Sequence, residues 1–153
     1  MRLRDYMRPE LVLQGVDGED RRAVLCAMAA ESARVLGLDG DAVCDRLLER
    51  EKCAATGLEG GVAVPHATIE GIEGTALIVA RLARPVDFGA LDGKPVDIVF
   101  MLLSAPERIM IHIRLLARIA RLCSGKVLLD AIRGAEDAAS LWRAVEQEDA
   151  RHV

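Results

Sequence analysis

The chain has 153 residues, with 20 Lys and Arg against 24 Asp and Glu, and it is 52% hydrophobic and 29% charged. That length suits one domain over residues 1–153, and the apolar share is too high for a disordered chain. A net charge of −4 and only 3% aromatic residues argue against a nucleic-acid binder, which needs a basic face and stacking rings, and against docking on an anionic membrane surface.

The first predicted helix runs from about Glu19 to Leu36, with Val24, Leu25, Met28, Val35 and Leu36 at helical spacing. Asp17 or Asp20 is placed to cap it, and Gly37 stops it. A second helix spans about Asp41 to Lys52, with Val43, Cys44, Leu47 and Leu48 inward. The turn-rich run from Ala55 to Gly61 leads into a short strand, Val62 to Val64, ended by Pro65, which has no N–H for a ladder. Thr75 to Leu82 alternates as a strand, with Ala76, Ile78, Ala80 and Leu82 on one side and Leu77 and Val79 on the other. Val86 to Phe88 reads as a further short strand and Asp92-Gly93-Lys94 as a turn. Val96 to Leu103 is apolar on both faces except for Asp97, the mark of a central strand. Ser104-Ala105-Pro106 breaks it. A long helix follows from about Glu107 to Ser124, with Leu115, Leu116, Ile119, Leu122 and Cys123 inward. Lys126 to Arg133 and Glu136 to Glu146 close the chain as helices, the last burying Leu141, Trp142 and Val145. Strands in the middle and helices at both ends predict a layered α/β domain with a mixed sheet.

No run reaches the roughly 18 apolar residues of a membrane span, and no apolar segment follows the charged first residues as a secretory signal requires. Cys26, Cys44, Cys53 and Cys123 form no C-x-x-C pair and match no zinc spacing. Three of them fall in apolar stripes, as small hydrophobes do, so the expectation is a reduced, cytoplasmic protein.

Two histidines are placed to carry chemistry. His66 follows a glycine-rich loop, a short strand and a proline that fixes the backbone before the ring. A neutral imidazole is a nucleophile and a general base at pH 7. Arg50 ends the preceding helix, and Thr56 offers a hydroxyl in the loop. Imidazole, guanidinium, hydroxyl and backbone N–H groups together suit a phosphoryl group held on histidine. The plain alternative is a histidine that caps its strand and bonds a carbonyl. His112 shares a helix face with Leu115, Leu116 and Ile119, which fits a satisfied core residue. Its helix starts beside the carboxyl end of the central strand, where ligands gather in open α/β sheets, so it is also placed to face His66. Other chemistries lack their motifs. There is no P-loop, no G-x-S-x-G and no H-E-x-x-H, and Ser32, Ser104, Ser124 and Ser140 have no triad-like context. His66, His112 and Cys53 are too scattered in sequence to read as a metal site. The Arg114/Arg118/Arg121 row reads as a solvated helix face.

The run Arg50-Glu51, Thr56-Gly57 and Gly61-Val62-Ala63-Val64-Pro65-His66-Ala67 resembles the phosphorylation-site signature of enzyme IIA of the fructose/mannitol class in the bacterial sugar phosphotransferase system. Pro95 to Leu103, a break, and His112 leading into Leu115 to Leu122 resemble its second block; Phe88 with Leu91 to Pro95 matches the segment before it. The resemblance covers nearly the whole chain and is strongest to the free-standing nitrogen-regulatory branch. It implies a mixed five-stranded sheet flanked by helices on both sides. His66 is then the phosphoryl acceptor, His112 its neighbour at the transferring group, and Arg50 and Thr56 the phosphate-binding residues. The implied donor is a histidine-containing phosphocarrier protein (HPr-like), and the recipients are regulated protein partners or a IIB domain. No metal, nucleotide or organic cofactor is implied. The chain departs from the family pattern at Glu59, where a glycine is common, at Ala55, where a small hydroxyl residue is common, and in the apolar run Ile109-Met110-Ile111 before His112. A carrier that regulates partners, a sugar-system component that passes phosphate to a IIB domain, and a binding module of the same fold without transfer are the three readings this leaves.

Overall fold

A computed structural model describes residues 1–152. Among these, strands and α-helices follow as β1 (Val12–Val16), α1 (Arg21–Leu36), α2 (Gly40–Cys53), β2 (Val62–Ala63), β3 (His66–Thr68), β4 (Thr75–Val86), β5 (Val96–Ser104), α3 (Ile109–Cys123), α4 (Lys126–Arg133) and α5 (Ala138–Arg151). The five strands make one mixed sheet. β1 runs parallel to β4, β4 antiparallel to β5, and both β2 and β3 lie parallel to β5 on its other side. The apolar strand Val96–Ser104 is therefore central, and its side chains are buried on both faces.

The alternation along β4 and β5 divides the core in two. Ala76, Ile78, Ala80, Val99, Met101 and Leu103 pack against α1 and α2 through Val24, Leu25, Met28, Val43 and Leu47. Leu77, Val79, Ile98, Phe100 and Leu102 pack against α3, α4 and α5 through Leu115, Ile119, Leu128 and Leu141. Period-two strands with both faces apolar need a helical layer on each side, and the chain supplies one. Caps fix the helix ends. Asp20, rather than Asp17, accepts the Ala23 N–H at 2.8 Å, and Gly37 closes α1 with φ +71°. Asp17 instead pairs with Arg84.

Several boundaries differ from the sequence reading. β1 is absent from it, because Gln14 and Gly15 interrupt the alternation and the register shifts between Gln14 and Val16. Val86 belongs to a continuous β4, and Phe88 lies beyond it, fully buried. A 3-10 turn, Pro106–Arg108, precedes α3, which starts at Ile109. Trp142 and Leu116 are only partly buried. Arg118 does not belong to a solvated row. Its guanidinium pairs with the fully buried Asp149, which also accepts the Leu3 N–H at 2.7 Å and so ties α3, α5 and the amino-terminal turn together. Nor are all four cysteines free thiols. Cys26 and Cys44 face each other across the α1–α2 contact and are joined as a disulfide, whereas Cys53 and Cys123 are free. The helical stripe that reads as simple packing brings these two residues within 5.1 Å between Cα atoms, inside the range for bridging. No helix among the described residues is long and apolar enough to cross a membrane.

Candidate functional site

The ladder beside β5 is broken at Pro65, and that break places His66. Val62 and Ala63 pair with Ile98 and Val99, the pairing lapses, and His66, Ala67 and Thr68 resume against Leu102, Leu103 and Ser104. Pro65 gives no N–H, but its carbonyl accepts from Leu102 N at 3.0 Å, so the chain stays on the sheet. His66 thus begins a second short strand instead of following the end of the first. Paired residues project to one face, so His66 shares a face with Leu102 and Ser104. That face is covered by α3, whose first turns carry His112. The two imidazoles meet there, with ring centroids 5.5 Å apart and planes 59° from each other.

Each ring is held by its Nδ1. His66 Nδ1 lies 2.8 Å from the Val64 carbonyl oxygen. A carbonyl only accepts, so Nδ1 carries the proton, and the neutral ring keeps its lone pair on Nε2. His112 Nδ1 lies 2.7 Å from Ser104 Oγ. Burial holds the His66 pKa below its ordinary value, with the Arg50 charge acting in the same direction and the Val64 bond and Glu51 opposing. His112 is only 3% exposed, and its pKa is pushed down from 6.5 to about 4 by burial and then by His66. Both rings are therefore largely neutral at pH 7, the state a nitrogen nucleophile requires.

An open cleft of about 420 Å³ lies over the pair. Its cationic wall is Arg46 and Arg50 from the last turns of α2, with Glu49 and Cys53 beside them, and its other wall is Ile109, Ile113 and Leu116 from α3. Arg50 Nη1 donates to the Ala54 carbonyl at 3.1 Å, which pins the side chain at the helix end. A second hollow, which shares Arg50, His66 and Leu116 with the first, is lined also by Ala55, Thr56 and Val64. Thr56 is buried, and its hydroxyl donates to the Glu51 carboxylate. Glu51 is itself buried and pairs with Arg21 at 3.4 Å.

His66, His112 and Arg50 thus come together around one cleft, and Thr56 borders the adjoining hollow with its hydroxyl turned to Glu51. Cys53 lines the cleft, but no group of three or more His, Cys, Asp or Glu among the described residues is arranged to hold a metal ion. Glu59 is exposed and lines neither hollow, so its carboxylate does not point at the imidazoles. Sequence reasoning missed three residues. Arg46 lies one helical turn before Arg50, a spacing that was visible. Glu51 lies in the charged run Glu49-Arg50-Glu51-Lys52, so no local pattern marks it as the buried member. Ser104 looked like a strand breaker; its contact with His112 depends on how α3 folds back, which no local pattern shows.

The family model described as "Phosphoenolpyruvate-dependent sugar phosphotransferase system, EIIA 2" matches residues 5–148. The nitrogen regulatory protein of Bradyrhizobium diazoefficiens is 36% identical over 142 residues, which is 93% of this chain and 93% of that protein. A fructose-specific EIIA component from Haloferax volcanii is also 36% identical, but over 97 residues, 63% of this chain and 62% of that one. The crystal structure of nitrogen regulatory protein IIA-Ntr from Neisseria meningitidis superimposes with a TM-score of 0.83 at 26% identity, covering 92% of this chain and 97% of the other.

Proposed function

The chain belongs to the EIIA 2 family of the phosphoenolpyruvate-dependent sugar phosphotransferase system, and from that membership we propose that it is a phosphoryl carrier whose phosphorylation state controls partner proteins. His66 accepts the group from a phosphohistidine on a small histidine-containing phosphocarrier protein, in the cytoplasm, and the whole chain acts as one domain. The observation that carries this reading is the Val64 carbonyl on His66 Nδ1, which leaves a bare Nε2 lone pair beside Arg50 and His112.

In the transfer, that lone pair forms the new N–P bond as the donor's N–P bond breaks and its electrons return to the donor ring. Like bonds are exchanged, so little driving force is needed, and the protein's task is alignment and charge stabilisation. The positive charge that develops on the His66 ring is stabilised by the Nδ1–H bond to Val64. Arg50 holds the phosphoryl oxygens, and His112 lies against the same group. Thr56 joins them by exchanging its acceptor, from the Glu51 carboxylate to a phosphoryl oxygen. The apolar wall of Ile109 and Ile113, both exposed, suits a protein donor better than a small free metabolite.

Regulation is preferred to sugar transport because the likeness to the nitrogen regulatory protein runs through 93% of both chains, whereas that to the fructose-specific component stops near two thirds of each. Incubation with the phosphorylated carrier and its upstream kinase is expected to give an adduct stable in base and lost in acid. His66→Ala is expected to abolish it. Label that persists in that variant overturns the assignment.

A further inference from the structure

Ser104 is the last residue of β5, fully buried on the face that α3 covers. Its hydroxyl lies 2.7 Å from His112 Nδ1, and among the described residues it has no other hydrogen-bond partner. Two proton arrangements fit that distance. If the ring N–H donated to Ser104, the serine's own proton would be left without an acceptor where water does not reach. If Ser104 donates to the ring, every proton at the contact is used and only a lone pair goes unpaired. A buried donor without an acceptor costs more than a spare lone pair on an oxygen already bonded. The second arrangement is therefore favoured.

It has a consequence for the other ring nitrogen. A neutral imidazole with Nδ1 accepting carries its proton on Nε2. His112 lines the cleft, and its Nε2 is not among the sealed atoms lacking a partner, so it retains contact with that open space. The two rings are then complementary. The Val64 carbonyl leaves His66 with a lone pair on Nε2, and Ser104 leaves His112 with a proton there.

We propose that Ser104 is a positioning residue that fixes the tautomer of His112, so that its Nε2–H donates to an oxygen of the phosphoryl group moving onto His66. This rests on the carrier reading of the site. During transfer the donor N–P bond breaks, the His66 Nε2–P bond forms, and the His112 and Ser104 protons stay where they are. The depressed pKa of His112 agrees, since a ring that stays neutral at pH 7 offers one proton and its placement matters.

Long-range proton–nitrogen NMR of the unphosphorylated, nitrogen-15-labelled protein at pH 7 tests this. The wild type is expected to show His112 with a bare Nδ1 and a protonated Nε2, and His66 with the reverse. Ser104→Ala is expected to mix the His112 tautomers and slow phosphoryl uptake from the phosphorylated carrier about tenfold, the size of one hydrogen bond's effect. Ser104→Thr, which keeps a hydroxyl, is expected to retain both the tautomer and the rate. A wild-type His112 protonated on Nδ1, or a tautomer unchanged in Ser104→Ala, overturns the proposal, and the wild-type spectrum decides even if the alanine variant fails to fold. Wild-type protein with the expected tautomers that accepts no phosphoryl group contradicts the carrier reading instead.

Discussion

At the scale of single residues, the site depends on two imidazoles kept uncharged by different means. His66 is partly open and kept neutral mainly by burial, helped by the Arg50 charge. His112 is nearly sealed and lies near pH 4. Lowering the pH from 6.5 toward 4 lets the unfolded chain bind a proton on residue 112 that the folded chain refuses. The unfolded state binds more protons in that window, so stability rises with pH through it and is lost as pH falls. For His112 the loss reaches up to about 3 kcal/mol by pH 4, and His66 adds to it in the same direction. Urea midpoints measured from pH 7 to pH 4 are expected to fall more steeply for wild type than for His112→Gln, the difference isolating this ring from the carboxylates. Parallel slopes would count against a depressed His112. Of the residues the proposal uses, His66 and Arg50 stand out locally, an imidazole after Gly-Gly-Val-Ala-Val-Pro and a cation at a helix end, whereas His112 by itself fits a core histidine and takes its proposed role from the family resemblance. Ser104 and Glu51 do not stand out. A buried serine and a buried glutamate gain meaning only from the partner the fold presents, and those partners lie eight residues away for Ser104 and on α1 for the Glu51–Arg21 pair.

At the scale of elements, polar contacts set how the helices sit on the sheet. Asp149 of α5 is fully buried and takes Arg118 of α3 and the Leu3 N–H of the amino-terminal turn. Asp149→Ala strands a half-buried guanidinium and a buried amide, and is expected to cost roughly 3 kcal/mol. Fluorescence of Trp142, the single tryptophan and itself on α5, reports the urea midpoint. A shift under about 0.5 kcal/mol, the range of an ordinary surface change, would show that the contact is incidental. Arg133 of α4 acts similarly near the site, with paired bonds to Asp97 at 2.7 and 2.8 Å and one to the Gly60 carbonyl at 2.7 Å. Gly61 next to it has φ +84°, and an added Cβ would meet Arg133 Nη2 at 2.7 Å, so this entrance to β2 accepts only glycine. The long periodic elements, α1, α2, α3, β4 and β5, were readable because each repeats its pattern many times. β1 and β3 were not: one is a short edge strand carrying Gly15, the other three residues directly after a proline.

At the scale of the whole molecule, one sheet holds two helical layers, and the site lies where α2 from one layer and α3 from the other meet β3. The Cys26–Cys44 bond locks α1 to α2, the helix that carries Arg50 and Glu51. The loop it closes spans 18 residues, so its reduction is expected to lower stability by about 3 kcal/mol. Thiol titration of denatured protein prepared without reductant is expected to find two thiols, those of Cys53 and Cys123. Four would show that the pair stays reduced, as the composition alone suggested. A layered α/β domain with a mixed sheet followed from the order of the patterns, and the five strands with helices on both faces from the family resemblance. The disulfide did not, because two cysteines on apolar stripes read the same whether they pack or bond.

The proposed carrier role requires His66 to take up a phosphoryl group from another protein. Intact-mass analysis after incubation with a phosphorylated histidine phosphocarrier tests this most directly. Wild type is expected to gain the mass of one phosphoryl group, His112→Ala to gain it more slowly, and His66→Ala to gain none. An unchanged wild-type mass with a competent donor, or a full gain in His66→Ala, would contradict it.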